Sequence, residues 1–141
     1  DRLEGYRLAL ADHGIGYDER LSRIADFKLE QAEAKTMELL SQSVAPTALF
    51  VANNLMTIGA LRAIRKKGLS IPNDIALVTF DDPEWAEFIH PALTAVAQPT
   101  YELGLCAMGL LAKEIENPSI EKQEVVLGCE LVVRESCGVH R

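Results

Sequence analysis

Ile71–Pro99 reads IPNDIALVTFDDPEWAEFIHPALTAVAQP. Ile75–Phe80 is a short apolar run of strand length, and it ends on two adjacent carboxylates, Asp81 and Asp82. A loop carrying Trp85, Phe88 and Ile89 follows, then His90-Pro91 and a second apolar run, Leu93–Ala97. In an α/β protein, ligands sit at the carboxyl ends of parallel strands. Asp81 stands at such an end. A carboxylate there accepts two hydroxyl hydrogen bonds at once, which suits a sugar or another polyol without metal or nucleophile.

Outward from this stretch, helical and strand periods alternate. Leu3, Tyr6 and Leu10 lie on one helical face, closed by Gly14. Arg23–Phe27 is a strand or a loop edge. Leu29 to Gln42 is helical, with Leu29, Ala32, Thr36, Leu39 and Leu40 as its stripe, and Pro46 breaks it. Thr47–Ala52 is a strand. Leu55 to Lys67 is a helix with Leu55, Ile58, Leu61 and Ile64 inward. Arg65, Lys66 and Lys67 suit the negative end of its dipole, and Gly68 stops it. Beyond Ala97, Thr100 caps a helix to Glu116, and Glu124–Leu127 and Leu131–Arg134 are two last strands. This order specifies an α/β fold, a parallel sheet flanked by helices. The chain opens in a helix, so an expected first strand is missing.

The chain has 141 residues, enough for one domain with a real core. Its net charge of −7 argues against gripping nucleic acid directly. Cys106, Cys129 and Cys137 form no metal or redox spacing and read as small buried thiols of a reducing cytoplasm. His13, His90 and His140 suggest no metal site, and Ser41, Ser43 and Ser70 lie in no nucleophile motif. There is no phosphate-binding glycine motif, signal peptide or membrane-length apolar run. No cofactor and no catalytic residue is expected. A phosphotransfer role for Asp81 would need a base, metal set or phosphate loop that the sequence does not display.

Several motifs recur in a fixed order: Arg2-x-x-Gly5-Tyr6; Pro46 through Asn53-Asn54-x-Met56-x-x-Gly59-Ala60; Gly68-Leu-x-Ile-Pro72-x-Asp74 through Phe80-Asp81-Asp82; Pro91-x-Leu93-Thr94-x-Val96-x-Gln98; and Leu131-Val-Val-Arg134-x-Ser136. Together they resemble the lac repressor/gal repressor (LacI/GalR) family of bacterial transcription regulators, in the C-terminal part of its effector-binding region. Two positions depart from that pattern. Thr79 stands where the family usually has Gly, and Asn54 where it commonly has Asp.

The resemblance implies a type I periplasmic-binding-protein-like fold, two α/β subdomains joined by crossing segments around an effector. Residues 1–97 would be the C-terminal effector-binding subdomain. Residues 98–128 would cross into the other subdomain, and 129–141 would return. Beginning at Asp1 without a Met, the chain reads as part of a longer protein whose DNA-binding domain lies outside it. The apolar face of helix 100–116 should then find its partners outside this chain.

By resemblance, Arg2, Phe27, Asn53, Asp81 and Gln98 are effector-binding. Each has a plainer reading as well: an exposed helix-start arginine, a core aromatic, a helix cap for Asn53. Asp82 is better read as a carboxylate bonding its own loop or capping a helix. Leu55, Ile58, Arg62, Trp85, Phe88 and Ile89 would form a homodimer interface; for the loop aromatics the other reading is packing on their own core. The implied partners are a small-molecule effector, a second copy, and operator DNA through the separate domain, in the cytoplasm and away from membranes. The competing assignment is the solute-binding protein of a sugar transporter.

Overall fold

The computed structural model describes residues 2–139. His140 lies outside the described residues. Four helices and four strands order as α1 (Arg2–Asp12), α2 (Leu29–Leu39), β1 (Ala48–Val51), α3 (Asn54–Lys67), β2 (Ala76–Phe80), β3 (Thr94–Ala97), α4 (Thr100–Glu116) and β4 (Glu130–Val132). The sheet runs β1-β2-β3-β4; its first three strands are parallel, and β4 is antiparallel to β3. This is the α/β sheet expected, with an antiparallel edge.

Ile75 and Leu77 in and beside β2 are fully buried, with Ile64 of α3 and Leu93 before β3 packed into the same core. α3 lies between the sheet and α2, so its buried side chains are small: Thr57, Gly59, Ala60 and Ala63, with Ile64. That corrects the inward stripe read from periodicity. Leu55 is half exposed and Ile58 and Leu61 are only partly covered, because a helix buried on two sides selects small residues rather than one wide stripe. Gly68 closes α3 with φ +70, the left-handed stop expected of it.

Several boundaries differ from the sequence reading, the last strand among them, which is Glu130–Val132 rather than Leu131–Arg134. α2 ends at Leu39, before Pro46, because its last bonds tighten to i−3 and the Ser41 hydroxyl takes the Met37 carbonyl at 2.7 Å. Of the two readings open for Arg23–Phe27, the structure takes the loop edge, which ends in a turn closed by Lys28 N–H on Ala25 O at 2.8 Å. Thr100 is the first helical residue of α4 rather than its cap, since Pro99 holds the cap position with no side-chain bond. Glu124–Leu127 is not a strand, for no described strand lies beside it to pair with.

The tail after β4 staples β2 to β3. Buried Ser136 accepts Thr94 N–H at 2.8 Å and donates to Leu77 O at 2.6 Å. Arg134 forks onto both oxygens of Asp82 at 2.7 and 2.8 Å and donates to Leu93 O at 2.7 Å. The carboxylate's hydrogen bonds raise the guanidinium's pKa above its ordinary value, against the opposing effect of burial. Both side chains keep 18–19% exposure, so solvent screens part of the attraction. Arg134→Met should therefore cost about 1–2 kcal/mol, read as a lower urea midpoint at unchanged slope. An unchanged midpoint would make the fork ornamental.

α4 buries none of its residues. Tyr101, Leu105, Met108, Leu111 and Ile115 are all exposed along one face, as the sequence led one to expect.

Candidate functional site

The carboxyl ends of β1, β2 and β3 carry the polar candidates. β1 pairs with β2 through Val51↔Thr79, so Asn53 and Asp81 stand level, each two residues further on. β2 pairs with β3 through Phe80↔Val96, which brings Gln98 beside Asp81. Asp81 has φ +76, a left-handed conformation that Asp tolerates better than most residues. Its N–H is tied to Val96 O at 3.0 Å, and its Oδ1 accepts Gln98 Nε2 at 2.6 Å. Gln98 thus orients one carboxylate oxygen and leaves the other able to accept.

Arg2 reaches the same edge from α1. Its guanidinium lies 3.9 Å from the Phe80 ring centroid and donates to Ala52 O. Asn53 caps α3, its Oδ1 accepting Met56 N–H at 2.8 Å. The capping reading is therefore realised. Among the described residues nothing accepts from Asn53 Nδ2, so the amide remains a donor.

Phe27 has φ +56 and is 60% exposed, so it is not a core aromatic. It lines a groove of about 870 Å³ with Arg2, Ile24, Phe50 and Ala52. Asp81, Asn53 and Gln98 do not line that groove. The structure thus makes two groups, an Asp81–Gln98 pair and an Arg2–Phe27 groove, with Arg2 linking them through Ala52 and Phe80.

Asp82 is held by Arg134 from the tail after β4, a partner far off in sequence rather than its own loop or a helix end. Trp85 and Ile89 pack against the core, while Phe88 stands 75% exposed. On α3, Leu55 and Arg62 face outward, and Arg62 lies 3.9 Å from Glu33 of α2. None of the three cysteines is buried, which corrects the expectation of buried thiols; Cys129 is exposed. His13 Nδ1 meets Ala9 O at 2.8 Å, and no metal-holding cluster occurs among the described residues. Sequence reasoning assigned no role to Arg134, Ser136 or Thr57. The first two stood inside the quoted motifs, and that was the signal available.

A periplasmic binding protein-like domain model matches residues 1–137. The chain belongs to the periplasmic binding protein-like domain family. Its relatives are LacI-family regulators, as the motifs suggested. It is 40% identical over 136 residues to the HTH-type transcriptional regulator CelR of Thermobifida fusca, covering 96% of this chain and 40% of the relative. Among solved structures it resembles a CelR–cellobiose complex (TM-score 0.89, 40% identity, 96% of this chain and 41% of that one). It also resembles a LacI family transcriptional regulator from Enterococcus faecium with bound ribose (TM-score 0.83, 32% identity, 96% and 50%). This periplasmic binding protein-like domain spans about 40% of the length of the curated relatives it matches. No helix of the described residues is long and apolar enough to cross a membrane.

Proposed function

We infer that this chain is the effector-sensing part of a LacI-type transcriptional regulator. It would bind a sugar in a cleft between the strand ends described above and a second subdomain, and dimerise to control DNA binding in the cytoplasm. The observation that carries this is that Asn53, Asp81 and Gln98 follow the carboxyl ends of three neighbouring strands, with Arg2 bonded to Ala52 O beside them. These strand ends offer donors, acceptors and an aromatic beside them, the chemistry that hydroxyl groups need. The sugar-bound relatives support it. No catalytic step is required, and the relatives are regulators rather than enzymes or transporter components. The 98–128 excursion, with α4 uncovered, fits a segment that packs in the second subdomain.

The test is linkage. In the full-length protein, cellobiose and ribose are titrated by calorimetry with and without operator DNA. A sugar that binds must do so with different affinity in the two states, because an effector shifts only what it discriminates. Equal affinities would sink the sensor reading. The 141-residue chain alone should bind either sugar far more weakly, having one wall of the cleft.

The outward residues Leu55, Ile58 and Phe88, with Arg62, are the dimer face in this reading, while Trp85 and Ile89 support it from beneath. Ile58→Asp should shift the full-length protein from dimer to monomer in light scattering at micromolar concentration. A variant that stays dimeric would move the interface elsewhere.

A further inference from the structure

Two buried hydroxyls lie beneath the candidate site. Thr79 is the fourth residue of β2, two before Asp81, and is fully buried; Thr57, four after Asn53, is buried in the first turns of α3. Their Oγ1 atoms are hydrogen-bonded to each other. Thr57 Oγ1 donates to Asn53 O at 2.8 Å, and Thr79 Oγ1 lies 3.1 Å from Phe80 O. The contacts run in a line between two carbonyls. One belongs to Asn53 itself. The other belongs to the peptide whose nitrogen is Asp81's.

We propose that this Thr57–Thr79 bridge is a positioning device that fixes Asn53 relative to Asp81, and so sets which hydroxyl pattern the effector must present. The proposal rests on the sensor reading above and deepens it. Three observations carry it. First, both hydroxyls are fully buried, where Val would fill the same volume with no bond to satisfy. Second, the bridge joins different elements, a helix start and a strand end, at the level where both candidate ligand groups leave the backbone. Third, the hydrogens are fewer than the bonds. Thr57 and Thr79 hold one hydroxyl hydrogen each, while three contacts compete for them. If Thr57 donates to Asn53 O, Thr79 donates to Thr57. If Thr79 turns to Phe80 O, Thr57 can donate to Thr79 instead. Donation at one end is thereby tied to donation at the other, so a disturbance of either residue reaches its partner. Glycine at position 79, the residue the family pattern favours there, would leave Thr57 with no such link.

The structure supplies a local reporter at each end. Met56 N–H bonds Asn53 Oδ1, and Gln98 Nε2 bonds Asp81 Oδ1. Thr79→Val, Thr79→Ser and Thr57→Val are compared with the parent chain by NMR. Thr79→Val should speed amide exchange at Met56 and Asp81 about tenfold and shift the Gln98 side-chain amide resonances, while the Ile64 amide changes less than about twofold. Thr79→Ser should restore all three. Uniform acceleration at Ile64 and Asp81 together, with no rescue by serine, would make the pair mere packing and overturn the proposal. So would unchanged Met56 and Gln98 signals in a folded Thr79→Val chain. Should Thr79→Val fail to fold, Thr57→Val reads the bridge from the helix side, and an unmoved Asp81 amide there overturns it as well. These readouts need no ligand. A full-length protein that binds neither cellobiose nor ribose would count against the sugar reading and leave the bridge result standing.

Discussion

Gly59→Ala should destabilise the fold by at least about 3 kcal/mol, a large share of the roughly 5–15 kcal/mol that holds such a domain together. A β-carbon at Gly59 would sit 2.4 Å from Leu29 O, 2.8 Å from Glu33 N and 2.9 Å from Ala32 Cβ. All three belong to α2, and none is the far end of a flexible side chain, so relief requires moving one helix off the other. Helix propensity alone argues the opposite, since Ala is better than Gly by about 1 kcal/mol within a helix. The steric term wins because it acts through backbone. Gly104→Ala and Gly109→Ala in α4 are the matched controls: nothing lies within 4 Å of either added carbon. They should be neutral or slightly stabilising. Urea unfolding of the three variants decides the matter, and a Gly59→Ala protein as stable as its parent would disprove the close α2–α3 approach.

Asp81→Asn is the second large effect, and it falls on binding. Asparagine tolerates the left-handed backbone, and its Oδ1 can still accept from Gln98, so the wall should keep its shape. What disappears is the charge. Hydrogen bonds to an ionised acceptor are worth about 1.5–3 kcal/mol against 0.5–1.5 for neutral ones. Under the proposed sensor function, affinity of the full-length protein for sugar should therefore drop about five- to fifteenfold, with thermal stability nearly unchanged. Calorimetry giving an unaltered dissociation constant would remove Asp81 from the site. Asp81→Ala is the poorer experiment, because its strained backbone would confound the loss of charge.

The parallel sheet was legible because its strands are written in apolar runs of strand length that stop at polar residues, as at Phe80-Asp81 and Ala52-Asn53. Strand direction and helix order followed from alternation. Glu124–Leu127 misled because strand propensity describes a surface that can be paired, not a pairing. α3 misled because one apolar stripe does not describe a helix covered on two sides; the small residues Gly59 and Ala63 carry that signal. In the site, the motif positions of Asp81, Gln98, Arg2 and Asn53 were readable and their connections were not. That Gln98 holds Asp81, or that Arg2 rests on Phe80, depends on register between strands far apart in sequence. The Asp82–Arg134 fork was hidden for the same reason, as each partner alone is simply a charged residue.

Asp81's backbone angle reaches beyond the chemistry of one ligand. At φ +76, glycine, asparagine and aspartate are the side chains that sit without heavy penalty. Codons for asparagine and glycine are each one nucleotide away from those for aspartate, so mutation can sample this short alphabet readily. It yields a neutral acceptor or an empty space. Under the proposed function, a lineage adapting this protein to a new effector therefore has little freedom at position 81. Its variation must fall on neighbours with ordinary backbones, and paralogues that diverged in taste should keep their differences there.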